Sequence, residues 1–258
     1  MNALRLAFGL LTAIPVGRLP RVDPRSAGRA VLLAPVTAAP LLVVLVGAHV
    51  AASAGAPPLL LGAVVVTAGA LVSRAMHLDG LADTADGLSA GYDAESSLRA
   101  MKASDTGPSG VAAVVLALLL QVASLATLLP STSGTALAAT AWLVSRHALA
   151  WACRAGVPAA QERGLGAMVA GTVGRRALGV AAATVIAVSL VCSTVAAHGD
   201  WAQAVGVVAV LGAGVGATEL LTRRCRHRLG GITGDVLGAG VEVCLTTALV
   251  TAALVVST

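Results

Sequence analysis

The stretch from His77 to Leu88 holds three of the chain's twelve acidic residues, Asp79, Asp83 and Asp86. Their i, i+4, i+7 spacing places them on one face of a helix. Nothing basic lies among them to relieve their repulsion, and the stripe abuts an apolar segment ending at Met76, where unpaired charge is costly. A hard divalent cation relieves such a stripe, and Mg²⁺ takes oxygen ligands of this kind. Asp79, Asp83 and Asp86 are therefore the expected Mg²⁺ ligands and catalytic carboxylates, with His77 beside them as a candidate base or ligand.

Two further patches carry polar chemistry. Lys102, Ser104, Asp105 and Thr106 lead into Gly107-Pro108-Ser109-Gly110, a turn sequence at whose end a phosphate would meet side-chain donors and the free N–H groups of a new helix. Further on, Gly230-Gly231-Ile232-Thr233-Gly234-Asp235 is followed by Glu242. Glu242 falls on the same helical face as Asp235 two turns later, about 10 Å into a span, and an intramembrane carboxylate is a functional-site candidate by default. Lys102, Ser104, Asp105, Thr233, Asp235 and Glu242 are accordingly the candidate substrate contacts. The competing reading of Asp235 is a helix cap. Arg146, inside an apolar segment, is expected to pair with Glu219 or Glu242.

The elements that position these residues must be membrane helices. Of 258 residues 57% are hydrophobic and 11% charged, against about a quarter charged in soluble domains, and the mean hydropathy is +0.89. The net charge of +5 does not indicate a nucleic-acid partner, because aromatics make up only 2%. Four scattered cysteines form no CxxC and imply neither a zinc site nor a disulfide framework. The first fifteen residues lack a small-residue cleavage site and are followed by Arg18, Arg21, Arg25 and Arg29, which argues for retention on the inside.

Seven segments are apolar enough to cross, given about 20 residues per crossing: 30–51, 57–76, 108–130, 136–153, 177–197, 202–221 and 236–257. Residues 3–16 are too short and read as an interfacial or re-entrant helix. Pro57-Pro58, Pro130-Ser131 and His198-Gly199-Asp200 make short connections; 77–107, 154–176 and 222–235 are longer and polar. Of the seventeen Lys and Arg residues, Arg5 lies in the short N-terminal helix and Arg146 within the fourth span. All others fall in or beside the segments that are cytoplasmic if the N-terminus is, and the outer loops hold none. The expectation is an all-α, polytopic helical bundle in the cell membrane. It is one integral membrane domain over 1–258, in contact with the lipid bilayer, with the aspartates facing the cytoplasm.

His77–Leu88, the MKxS…GPxG stretch and Gly230–Glu242, read as GGxTGDxxGAxxE, resemble the corresponding motifs of the cobalamin synthases, the adenosylcobinamide-GDP ribazoletransferases, as does the opening Leu10-Leu11-Thr12-Ala13-Ile14-Pro15. The resemblance spans nearly the whole chain. It implies a Mg²⁺-dependent integral membrane enzyme that joins adenosylcobinamide-GDP to α-ribazole, or its 5′-phosphate, and releases GMP. One departure is Ala103, where many members carry an acid directly after Met-Lys; this chain offers Asp105 instead. Two rival readings are a membrane phosphotransferase of the CDP-alcohol type, whose DGxxAR arginine is missing from Asp79-Gly80-Leu81-Ala82-Asp83, and an ion-coupled transporter. A transporter would place its carboxylates near the bilayer midplane, whereas most acid here is at the rim. A homo-oligomer is compatible with the sequence.

Overall fold

Helix start signals are frequent in this chain and the structure uses them. The computed structural model describes residues 2–18, 22–91, 93–197 and 201–257; Arg21 and the expected connection His198-Gly199-Asp200 lie outside the described residues. Twelve α-helices occur among the described residues: α1 Asn2–Leu11, α2 Pro24–Leu32, α3 Ala39–Ser53, α4 Pro58–Val72, α5 Met76–Ser89, α6 Ala94–Ala100, α7 Pro108–Leu128, α8 Thr132–Ala152, α9 Leu165–Val169, α10 Arg175–Ala196, α11 Trp201–Leu229 and α12 Gly234–Val256. Pro24, Pro58 and Pro108 sit in the first helical positions, where a missing N–H costs nothing. Asp23, Asp93, Ser131 and Thr233 cap α2, α6, α8 and α12 through their side-chain oxygens. Apart from the isolated bridges Arg154–Val173 and Ala159–Ile232, no extended pairing occurs among the described residues.

The protein is an all-α polytopic bundle. Five helical segments are long and apolar enough to cross a membrane: Ala34–Ser53, which includes a 3₁₀ turn before α3, and α7, α10, α11 and α12. Their outward faces carry exposed Val43, Leu116, Leu119, Val180, Val195, Val208 and Leu254, as lipid contact requires. The segment expected to cross at 136–153 forms α8, whose 21 residues would reach across but are made less apolar by Arg146 and His147. It occupies the interior, with Leu137, Ala138, Ala141, Trp142 and Val144 buried against α11 and α12. The short N-terminal segment forms α1, ten residues long and unable to cross.

The segment expected to cross at 57–76 instead stops at Val72, and α5 departs at 88° from α4. Arg74 and Ala75 both have left-handed backbones, with φ of 55° and 54°. Ala75 N–H donates to the Ala70 carbonyl at 2.7 Å and Arg74 N–H to that of Leu71 at 3.1 Å. This is a Schellman end made without glycine. The Arg74 guanidinium reaches the Gly9 carbonyl and Ala13 N–H donates to Val72, so the N-terminal segment clamps the bend. The pair α4–α5 makes a sixth candidate segment only with this break in it, and α5, with its three aspartates, falls in the polar connection 77–107 and not in the apolar segment before it.

Left-handed conformations cost an L-residue about 1–2 kcal/mol, and glycine escapes that penalty. Ala75→Gly is therefore expected to stabilise the protein by about 1 kcal/mol, read as a higher thermal unfolding midpoint in detergent. An unchanged or lower midpoint would contradict the strained bend.

Candidate active site

Helix α5 carries the aspartate stripe, and its opposite face is buried through His77, Gly80, Leu81 and Thr84. That face meets α12 with backbone against backbone. A Cβ on Gly80 would lie 2.6 Å from the Asp235 carbonyl oxygen and 3.1 Å from its Cα, and one on Gly238 would lie 3.2 Å from the His77 Cα. Only glycine permits this approach, and it brings Asp235 to the stripe. Asp79 is exposed, while Asp83, Asp86 and Asp235 are half-buried.

The crowding shows in Asp83. Burial first, and then the charges of Asp79, Asp235 and Asp86, push its carboxyl up from 3.8 to about 6. Lys102 is near enough to offset part of the charge on Asp235. Asp86 has a second engagement: its Oδ2 accepts from Gly107 N–H at 2.7 Å and its Oδ1 from Gly110 N–H at 2.8 Å. It thereby fixes the N-terminus of α7, where a negative charge is favoured by the helix dipole. Asp235 does not cap α12. Thr233 does, accepting from Val236 N–H at 3.2 Å and lying 3.3 Å from Asp235 Oδ2.

Beside these residues opens a cavity of about 290 Å³. Asp79, Thr233 and Asp235 line one wall; Gln161, Arg163 and Gly164 line the other. The second wall comes from the polar 154–176 loop, which is held against the 230–235 turn by Ala160 N–H donating to the Ile232 carbonyl and Ile232 N–H to that of Pro158. Gln161 and Arg163 were not singled out from sequence. The only local signal was Gln161-Glu162-Arg163-Gly164, and what gives it meaning is a long-range backbone contact. Among the described residues no three Asp, Glu, His or Cys side chains converge as a ready metal cage. The carboxylates form an open rim, which fits Mg²⁺: it keeps several waters and binds through one or two carboxylates plus substrate phosphates.

Other candidates lie apart. Glu242 is buried beneath the rim, accepting from Gln121 Nε2 at 2.9 Å, and lines a separate small cavity with Arg146 and Trp142. The expected partner of Arg146 is neither Glu219 nor, by direct contact, Glu242: Arg146 Nη1 donates to His77 Nδ1 at 2.8 Å. Glu219 instead binds Arg154, Arg223 and the Trp151 indole. His77 is 3% exposed and turned from the carboxylates' cavity. Ser104 and Asp105 are exposed and hydrogen-bond each other at 3.2 Å.

The carboxylate cluster has a direct signature. In the metal-free protein Asp83 should titrate near 6, and Asp79→Asn, which removes one repelling charge, should lower that midpoint. Between pH 3.8 and about 6 the folded state keeps a proton that the unfolded chain has lost, so raising the pH through this window weakens folding at this residue. Carboxylate-resolved NMR of selectively labelled protein would check it; an ordinary midpoint near 4 would contradict the cluster.

Comparison with known proteins shows the family. The family model described as cobalamin-5-phosphate synthase matches residues 3–253. A protein of Nocardioides sp. named adenosylcobinamide-GDP ribazoletransferase is 44% identical over 250 residues, covering 96% of each chain. Proteins of the same name from Frankia casuarinae and Pseudomonas syringae are 37% and 34% identical, over 100% and 96% of this chain and 96% and 98% of their own. No solved structure matches. With a family match over residues 3–253 and relatives aligned over nearly the whole length, the chain belongs to the cobalamin-5-phosphate synthase family, transferases of cobalamin biosynthesis.

Proposed function

We propose that this protein joins adenosylcobinamide-GDP to α-ribazole, or its 5′-phosphate, and releases GMP, with Mg²⁺ as cofactor and the site open to the cytoplasm. The observation that carries the reading is the meeting of Asp79 and Asp235, within the electrostatic reach of Asp83, at a cavity whose far wall presents Arg163. A ribose hydroxyl oxygen forms a bond to the phosphorus on the cobinamide side of the pyrophosphate. The bond from that phosphorus to the GMP oxygen breaks, GMP departs with the electron pair, and the hydroxyl proton passes to a carboxylate.

Asp79 and Asp83 from α5, with Asp235 from α12, would hold Mg²⁺. The ion supplies charge neutralisation at the phosphate oxygens. Arg163 and Lys102 add positive charge beside the same groups, and the cavity's fixed walls hold the two substrates for an in-line displacement. Asp86, expected from sequence as a third ligand, keeps α7 in register through Gly107 and Gly110. In this reading Glu242 and Arg146 support the site from below and touch no substrate.

Purified protein given adenosylcobinamide-GDP, α-ribazole and Mg²⁺ should form GMP, and no GMP should appear when Mg²⁺ is chelated. Because Thr233 already caps α12, Asp235→Asn leaves the helix start intact while removing one anionic group. It is expected to lower turnover about 100-fold with little change in unfolding temperature. Near-normal turnover would remove Asp235 from the site. For orientation, a cysteine at Ser89 should label from the cytoplasm and one at Ser131 from outside, in a background without native cysteines; the reverse would contradict the topology.

A further inference from the structure

The start of the first crossing segment, Ala34–Ser53, and α10 leave an open groove of about 480 Å³ between them. One wall is Leu33, Pro35 and Val36, at the end of α2 and in the 3₁₀ turn; the other is Val180, Ala181 and Val185 of α10. Both walls run into crossing helices, so the groove opens on the hydrocarbon of the bilayer. Val36 and Val180 are 45% and 69% exposed, and α10 is the least covered by protein of the five crossing segments. Thr184, which also lines the groove, needs no polar partner there, because its hydroxyl donates to the Val180 carbonyl at 2.9 Å. Arg176 and Val185 stand about 14 Å apart along the helix at 1.5 Å per residue, close to the ~15 Å of hydrocarbon in one leaflet.

The mouth of this groove is charged. Arg176, in the first turn of α10, lines it. Arg29, exposed on α2, stands one turn before Leu33, whose N–H donates to the Arg29 carbonyl at 3.2 Å. Among the described residues neither guanidinium has a hydrogen-bonding or ion-pair partner, and no Asp or Glu lines the groove. Unpaired guanidiniums at the level where a span begins suit a phosphate, which an arginine binds with two donors at once. Basic pockets between membrane helices are where anionic headgroups bind. A zwitterionic headgroup gains less, because its ammonium would meet like charge and find no carboxylate.

We propose that this groove binds an anionic phospholipid of the leaflet in which α10 begins, with one acyl chain between Val36 and Val180 and the headgroup phosphate held by Arg176 and Arg29. In the orientation proposed above this is the cytoplasmic leaflet. The inference does not depend on the transferase reading. A second copy of the chain fits the groove less well: a two-fold contact centred here would set Arg29 and Arg176 against their own counterparts, whereas a lipid phosphate neutralises them. Arg176 also closes the 154–176 connection that supplies Gln161 and Arg163 to the carboxylate-lined cavity, so the bound lipid fastens the far end of that connection to the membrane surface.

Native mass spectrometry of the full, delipidated chain in detergent reads lipid affinity and oligomeric state together. The protein is titrated with phosphatidylglycerol and with phosphatidylcholine of the same acyl chains. The first phosphatidylglycerol should bind at least about 10-fold more tightly than phosphatidylcholine, as two arginines near the surface allow. Arg29→Gln/Arg176→Gln should erase that preference while phosphatidylcholine binding stays unchanged, which also reports a folded protein. The charge-matched control Arg224→Gln/Arg226→Gln, at the exposed end of α11, should keep the preference. Val180→Trp, which fills the groove, should weaken phosphatidylglycerol binding at least about 5-fold. Equal affinity for the two lipids, or equal loss in the two double variants, would overturn the proposal. Unchanged phosphatidylglycerol affinity in Val180→Trp would overturn it too, leaving a headgroup-binding surface without an acyl seat. So would a dimer that Val180→Trp dissociates, which would give the groove to a second copy.

Discussion

At Gly80 the backbone of α5 meets the carbonyl of Asp235 so closely that a single added carbon would lie 2.6 Å from the oxygen. Acid from two helices distant in sequence thereby shares one rim. Repulsion among Asp79, Asp83, Asp86 and Asp235 opposes that contact, and together with burial, the larger cause, it pushes the Asp83 carboxyl up to about 6. The contact persists because the apolar faces of α5 and α12 pack together through Leu81 and Ala239 and because Asp86 is tied to Gly107 and Gly110. A site held in this way has its charge assembled before substrate arrives, which is the condition for electrostatic catalysis.

The bilayer sets the remaining terms. Buried polar groups must find partners within the protein, and the interior helix α8 carries several. Arg146 is shared between the His77 ring and the field of Glu242, and Glu242 is satisfied by Gln121 of α7. This network joins α5, α7, α8 and α12 beneath the rim, so that the floor of the site is fastened in the part of the molecule least accessible to water. Removing one member would leave a charge or a ring nitrogen unpaired, a costlier outcome than the loss of the bond itself.

Much of this was legible in the sequence where a short-range rule governs. The helical spacing of Asp79, Asp83 and Asp86 and the proline and glycine punctuation of the spans depend on neighbours alone. The bend before α5 was not legible, because Ser73-Arg74-Ala75 contains neither glycine nor proline, and its left-handed backbone is imposed by contacts with Gly9 and Ala13. The same limit explains Asp235, whose capping role falls to Thr233, and Glu242, which shares a helical face with Asp235 but is drawn inward by Gln121. Gln161 and Arg163 lie in an irregular loop whose position is fixed by backbone bonds to Ile232 and Pro158, so no periodicity announced them. The sequence placed 136–153 among the spans but gave no sign that α8 would be the most deeply packed helix, because that burial comes from contacts with α11 and α12.

The central claim, that the α5–α12 backbone contact assembles the reacting groups, is tested most directly by measuring GMP formation in Gly80→Ala. This variant retains every carboxylate, the Thr233 cap and both cavities' side chains, and changes only how closely the two helices approach. With a displacement on the order of 1 Å, turnover should fall about 100-fold in protein that remains inserted and monodisperse. Turnover close to that of the unaltered protein would contradict the account.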